Sequence, residues 1–348
     1  YADRMFRRSV IVPVLVAFAS ACTSSPSYGP FEPYVFDAAS DPIATRLCTY
    51  GSNPDLDPDP LHPTCRSEGE DLVVDDTSGG RSLRVLAYNL ERGYQLDGQL
   101  AWLASADGPR PDVVVLTEAD RGCTRTGRRH VAREWAEALS MDYVFAVEFE
   151  EVSFDATGAV TEVCEHGDAI LSRVPIGNVR TIRYATTDDW TSPPGTRTYP
   201  TDARFGGRVA IRADLAVGGR RLRLYGTHLA SGAVEDALRK AEVDELLVDA
   251  EGISYPILVV GDLNTHLYKF DLDVDATLES VTQTLFAAGF VDSHASIPTS
   301  MRTTDLAYDL IIDLALGRGV RVEDPWIGDR AALGTLSDHL PIATTVRF

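Results

Sequence analysis

From residue 83 onward, short apolar runs alternate with helical and turn segments. Residues 83–90, 112–116, 169–171 and 257–260 are nearly continuous in apolar side chains, and the longer runs stop abruptly at polar ones. That pattern predicts strands buried on both faces. Residues 143–150 alternate apolar and polar, as a half-exposed strand does. Gly218-Gly219 between the apolar segments 209–217 and 222–229 signals a hairpin. Apolar positions recur at helical spacing over 96–106, 128–139 and 234–250, and further strands are expected near 310–316, 320–322 and 342–348. Helices and strands mix without strict β-α-β alternation. The expected architecture is therefore α/β, with two packed sheets covered by helices.

The first 80 residues follow other rules. Arg4, Arg7 and Arg8 precede an apolar run from Val10 to Ala19, and Ala19-Ser20-Ala21 offers a small-residue cleavage site ahead of Cys22. Residues 1–22 read as a bacterial secretory signal whose apolar run is too short to span a bilayer. Ala19-Ser20-Ala21-Cys22 also resembles a lipobox, in which Cys22 would be acylated. Residues 23–80 are rich in Ser, Pro, Gly and Asp and read as a polar tether or capping segment. Their alternating acids at Asp55, Asp57 and Asp59 begin like a calcium loop. The glycine and terminal acid of such a loop are missing, however, and prolines interleave. Residues 81–348 form the expected catalytic domain.

Composition narrows the classes. With 348 residues, 44% of them apolar, the chain can bury a core, which excludes a disordered polypeptide. A formal charge of −20 repels phosphate backbones. Tight sequence-independent binding to nucleic acid would need a local basic groove or a bound metal. Five cysteines are odd for an exported chain; assigning Cys22 to lipid leaves Cys48, Cys65, Cys123 and Cys164 for two disulfides. Proximity favours Cys48–Cys65 and Cys123–Cys164.

Asn89, Glu118, His228, Asp262, Asn264 and His339 each lie at or just beyond the end of an apolar run, where loops project functional groups from a rigid frame. Singly, each has an ordinary reading: a turn cap, a helix start, an interior imidazole, an Asx turn or a solvated loop. Their joint occurrence is much harder to ascribe to chance.

The segments Tyr88-Asn89-Leu90, Leu116-Thr117-Glu118, Gly167-Asp168-Ala169-Ile170-Leu171-Ser172-Arg173, Gly226-Thr227-His228-Leu229, Gly261-Asp262-Leu263-Asn264 and Ser337-Asp338-His339-Leu340-Pro341 together resemble the endonuclease/exonuclease/phosphatase superfamily, in that family's order over residues 83–348. The resemblance implies a four-layer α/β/β/α sandwich of two mixed sheets flanked by helices. It also implies Mg²⁺-dependent phosphoester hydrolysis, with Mn²⁺ as a possible substitute. It makes Glu118 the principal metal ligand, with Asn89 beside it and Asp338 supporting the metal's surroundings. Asp262 and Asn264 would orient water and a phosphate oxygen. His339 would be the general base, or would stabilise the pentavalent phosphorus. Its second nitrogen needs an acceptor, for which Asp313 and Asp309 compete. His228 would act on the leaving-group side, with Glu148 or Glu150 as its acidic partner. Asp168 stands where the family often has Asn, adding a carboxylate near substrate phosphate, and Leu314-Ala315 replaces an aromatic pair. Arg121, Arg125, Arg128, Arg129 and Arg133 follow Glu118. They serve either as a phosphate clamp, with Arg125 the candidate, or as a solvated helix start.

The resulting expectation is an exported phosphodiesterase, as a cell-envelope lipoprotein or a secreted enzyme, held to a membrane if Cys22 is acylated and with no obligate protein partner. Its substrate class stays open among phospholipid head groups, nucleic acids and small organic phosphates. A secreted nuclease and a sphingomyelinase-like phospholipase are the nearest alternatives, and an inactive binding module on the same scaffold is the reading outside enzymes.

Overall fold

The computed structural model describes residues 47–50, 82–105, 108–154, 160–185, 203–232, 236–265 and 279–347. The expected signal, Cys22, Cys65 and all of the tether except residues 47–50 lie outside the described residues, as do the acids at 55–59. In chain order the strands are β1 (Leu47–Tyr50), β2 (Ser82–Arg92), β3 (Val113–Arg121), β4 (Asp142–Phe154), β5 (Val160–Ser172), β6 (Ile176–Arg183), β7 (Ala203–Gly206), β8 (Val209–Val217), β9 (Arg220–Thr227), β10 (Ile257–Asp262), β11 (Val291–Asp292), β12 (Asp313–Arg318), β13 (Arg321–Ile327) and β14 (Ile342–Arg347). The helices are α1 (Leu96–Ala104), α2 (Val131–Leu139), α3 (Asp236–Asp249), α4 (Ser280–Ala287) and α5 (Arg330–Leu333).

One sheet runs β1-β4-β5-β3-β2-β14-β13 with β7 added on β4, and the other runs β11-β12-β10-β9-β8-β6. Both are mixed: β2 pairs parallel with β3 and β9 parallel with β10, while the other pairs are antiparallel. Side-chain alternation explains the continuous apolar runs. In β2, Leu83, Val85 and Ala87 face the second sheet, while Leu86, Tyr88 and Leu90 face α1 and α2 around Trp135. In β10, Leu258 and Val260 face the first sheet, whereas Ile257 and Val259 meet Val243, Leu246, Val281 and Leu285 of α3 and α4. Four layers result, α/β/β/α, with both faces of each sheet buried. Each fully buried Leu, Ile, Val or Phe contributes about 1.5–3 kcal/mol relative to leaving it in water.

The expected strands are present, with three informative differences. Residues 169–171 are only the end of β5, whose earlier part carries Glu162, Glu165, His166 and Asp168 and so shows no apolar run. β6 shows no regular alternation in the sequence, because its register shifts between Gly177 and Arg180, where Asn178 has φ 49°. Within the expected tether, β1 pairs antiparallel with the edge of β4. Cys123 is disulfide-bonded to Cys164, joining the loop after β3 to β5 across 41 residues of sequence. The side chain of Cys48, in β1, lies outside the described residues with Cys65.

Register shifts gather at one end of the first sheet: in β2 between Asn89 and Arg92, in β3 between Leu116 and Ala119, and in β4 between Val147 and Phe149. Glu91, Arg92 and Glu118 there have φ of 48°, 66° and 54°, a left-handed conformation that costs about 1–3 kcal/mol for each such residue. Bulges of this kind re-aim side chains at the sheet's rim.

Candidate active site

The rim formed by those bulges faces the ends of β9 and β10. Gly261 is required there. Its φ is 142°, and a Cβ would lie 2.0 Å from the Thr227 carbonyl oxygen, so only glycine lets β10 approach β9 closely enough to deliver Asp262 beside His228.

Asp262 is the hub. Its Oδ2 accepts from Asn89 Nδ2 at 3.0 Å, and its Oδ1 accepts from the Asn264 backbone N–H at 2.9 Å. The Asn264 side chain turns away and donates to the Leu229 carbonyl. His228 Nε2 lies 3.4 Å and His339 Nε2 3.8 Å from the same Oδ2. His339 Nδ1 is 2.7 Å from Asp313 Oδ2, which settles the competition between the two aspartates. Asp309 is exposed and pairs with Arg330 instead. Asp313 is fixed in turn by Thr304, whose hydroxyl accepts from the Ile312 and Asp313 backbone N–H groups. Ser337 pins the His339 loop by donating to the Asn89 carbonyl and accepting from the His339 N–H. Asp262, Asp313 and His339 thus form a compact buried triad, their nearest ligand atoms within 4.8 Å of one another. Burial works against a proton on His339, yet Asp313, Asp262 and Asp338 hold its pKa well above the ordinary imidazole value. Burial, then Asp313, pushes Asp262 up to about 7.

Carboxylates crowd the outer side of this triad. Asp338 is exposed and its backbone N–H donates to Glu91 Oε2 at 3.1 Å. Burial and then the charge of Asp338 raise the pKa of Glu91; burial also raises Asp338, against His339, and Glu118 adds to both shifts. Glu118 itself stays below its ordinary value. Burial pushes it up, but His166, Arg92, Arg208 and His339 outweigh burial. Asn89 Oδ1 accepts from the Glu91 N–H. Glu118 acts on both Glu91 and Asp338, and carboxylate and amide oxygens are the chemistry that suits a hard divalent cation. Glu118, Asp338 and Asn89, with Glu91 as an addition the sequence did not suggest, fit the expected ion by the chemistry of their oxygens.

A second buried cluster lies behind Asp262. Glu148, Asp168 and His228 offer ligand atoms within 4.8 Å of one another. A guanidinium already supplies the positive charge there: Arg208 Nη1 is 3.1 Å from Glu148 Oε2 and 2.8 Å from His228 Nδ1. Because guanidinium can only donate, His228 Nδ1 accepts and its proton sits on Nε2, toward Asp262. Burial first, then Arg208, keeps His228 well below the ordinary imidazole value and hence neutral. Of the two acidic partners expected for His228, Glu148 is the one beside it. Glu148 acts through Arg208, and Glu150 belongs to a different neighbourhood, where burial and Glu165 push it up to about 9. Asp168 is fully buried in this cluster, with no hydrogen bond to either carboxylate oxygen. Burial, then Glu148, raises it well above the carboxylate range and keeps it protonated.

The arginines after Glu118 do not form an open phosphate clamp. Arg125 grips Asp120 at 2.7 and 2.8 Å and also pairs with Glu151. Arg121 pairs with Glu165, Arg129 with Glu134 and Asp97, and Arg133 with Glu137. The cations that act on Glu118 come from elsewhere, from Arg92, Arg208 and Arg204, along with His166, whose Nδ1 lies 2.9 Å from Asp120. No apolar run ends at these residues, so nothing in the local sequence marked them.

The model of the Endonuclease/Exonuclease/phosphatase family matches residues 86–339, and the chain belongs to that family. Its members are typically hydrolases acting on phosphodiester bonds and generally depend on divalent metal. Among solved structures, an endonuclease/exonuclease/phosphatase from Beutenbergia cavernae is 19% identical, with 77% of this chain and 72% of that chain aligned at a TM-score of 0.56. The human Nocturnin catalytic domain with bound sulfate is 16% identical over 77% of this chain and 94% of its own, at a TM-score of 0.53. A humanized D. rerio TDP2 is 16% identical over 77% of this chain and 100% of its own, at 0.51. These likenesses establish the shared fold. No curated protein matches the chain.

Proposed function

We propose that this protein is an exported, Mg²⁺-dependent phosphodiesterase. The observation that carries the reading is the Asn89–Asp262 and Asp313–His339 arrangement, set against the repelling carboxylates Glu118, Asp338 and Glu91. An Mg²⁺ ion on Glu118, Asn89 and Asp338 would offset negative charge on the phosphoryl oxygens.

The protein's own groups divide the remaining work. Asp262, with both oxygens fixed by Asn89 and the Asn264 N–H, is placed to take the proton of an attacking water. His339 has its Nδ1 committed to Asp313 and is kept protonated by its carboxylate neighbours. Of its two expected roles, the charged donor that stabilises the pentavalent phosphorus is the one this environment favours. His228, neutral with Nε2–H toward Asp262, orients that carboxylate from behind.

The Cys123–Cys164 disulfide supports an oxidising compartment, in keeping with the signal read in residues 1–22. The lipid anchor has a direct check: Cys22→Ser should release the protein from membranes, and an unchanged membrane fraction refutes acylation. Activity is tested with bis-p-nitrophenyl phosphate under Mg²⁺, Mn²⁺ or chelator. Metal-dependent turnover is expected, and His339→Ala should lower kcat by about 10²–10⁴-fold. No turnover on this substrate or on a panel of nucleic acids, phospholipids and organic phosphates would favour the inactive binding module.

A further inference from the structure

The loop after β9 leaves its sheet at Thr227, and its peptide groups are held from two sides. On the active-site side, the Leu229 N–H donates to the Asp262 carbonyl at 3.0 Å, and the Leu229 carbonyl accepts from Asn264 Nδ2 at 3.0 Å. From α3, Glu242 Oε2 accepts the Ala230 N–H at 2.8 Å. Arg239 Nη1 donates to the carbonyls of Ala230 and Gly232 at 3.1 and 2.7 Å. Arg239 and Glu242 stand three residues apart, so they share one face of the helix, and both are fully buried. Charged residue types are almost never buried so deeply unless they are paired. Arg239 also reaches the second loop of the site. Its Nη2 donates to Glu279 Oε2 at 3.2 Å, and the same oxygen accepts from Oγ1 of Thr265, next to Asn264, at 3.0 Å. Glu242 Oε1 makes no hydrogen bond, and burial pushes the carboxyl up to about 8. At pH 7 this acid therefore keeps its proton, and its carbonyl oxygen is the one that accepts from Ala230.

We propose that Arg239 and Glu242 are positioning residues for the reaction: from α3 they brace the loops that carry His228 and Asn264, and so set where those two side chains stand around Asp262. The planar guanidinium suits this task, since its fork spans two loops at once where an ammonium would hold one. Partners behind the reacting groups are typically worth about 10–100-fold in activity. Glu118 and Asn89 stand on β3 and β2, and Asp338 just before β14, away from α3 in the chain. Releasing the brace therefore lowers kcat and leaves metal affinity and KM in place. This inference rests on the phosphodiesterase reading, which supplies the reaction that the two loops serve.

The test combines kcat and KM on bis-p-nitrophenyl phosphate, Mn²⁺ binding by calorimetry, and the NMR signals of the His228 imidazole. Glu242→Ala leaves the Ala230 N–H without its acceptor. Its kcat should fall about 10–10²-fold, with KM and Mn²⁺ affinity within about twofold of wild type. Glu242→Gln presents a carbonyl oxygen in the same place and should restore kcat to within about threefold of wild type. Arg239→Lys keeps the charge and loses the fork, and should lower kcat about tenfold. The His228 signals should move in the alanine and lysine variants and return in the glutamine variant. If Glu242→Ala fails to fold, Arg239→Lys set against Glu242→Gln makes the same comparison. Wild-type kcat in the folded alanine and lysine variants overturns the proposal, and so does an equal fall in the alanine and glutamine variants. A loss of Mn²⁺ affinity in step with kcat overturns it as well, because the metal position and not the braced loops would then be disturbed. Should the wild type turn over no substrate, the hydrolase reading falls, and the His228 signals alone decide the brace: displacement in Glu242→Ala with return in Glu242→Gln upholds it, and unmoved signals refute it.

Discussion

Two buried clusters in this protein have the same composition, two acids and one histidine, and opposite charge states. In Asp262–Asp313–His339 the acids face an imidazole directly, and Asp313, 2.7 Å from Nδ1, makes it a cation. In Glu148–Asp168–His228 a guanidinium stands between acid and imidazole. Arg208 supplies the positive charge, His228 stays neutral, and Asp168 keeps its proton. Residue type does not fix protonation; the nearest full charge does. The first cluster borders the exposed Asp338 and can meet substrate, while the second holds Asp262 from behind.

Removing the guanidinium is the strongest challenge to this contrast. Arg208→Met leaves Glu148 and the acids around it without their cation, and breaking a buried pair costs about 3–5 kcal/mol. Urea denaturation should show that loss, and the His228 imidazole signals in NMR should report an upward shift in its pKa. A variant as stable as wild type would mean that Arg208 does not set the charge of this cluster. Asp313→Asn attacks the other cluster. His339 loses its nearest anion, its pKa falls, and kcat/KM on a diester should drop by about 10²–10³-fold with little change in stability. Equal activity would remove His339's charge from the mechanism. The smallest effect comes from Asp168→Asn. An acid whose pKa is raised in the folded state binds its proton more tightly there than in the unfolded chain. Its stabilising contribution is therefore present at low pH and falls away as pH rises from the unfolded value, about 3.9, toward the folded one. The Asn variant lacks that slope. Its urea midpoint should exceed that of wild type by a margin that grows between about pH 5 and 8, and a margin independent of pH would show Asp168 to be ionised already.

The layers and most of the strands were legible because burial on both faces leaves a mark in the sequence: unbroken apolar runs such as Val113-Val114-Val115-Leu116. Polar residues stopping those runs, at Asn89, Glu118 and Asp262, marked the site for the same reason. β6 and the polar part of β5 were not legible, since a register shift in one and a row of charged residues in the other erase the pattern. Arg92, Arg204, Arg208 and His166 left no local signal at all. They become functional only through the strands that pair beside them: β4 with β7 sets Glu151 opposite Arg204, and β5 beside β3 sets His166 opposite Asp120.

The chain alone thus specified the family, the two-sheet architecture and the set of acids, amides and imidazoles at the strand ends, since these follow from hydrophobic period and from motifs a few residues long. Which aspartate serves His339, which histidine carries charge, and which arginines face the acids were decided by folding. Those outcomes depend on separations of about 3–4 Å between residues far apart in sequence, where burial strengthens every charge–charge contact.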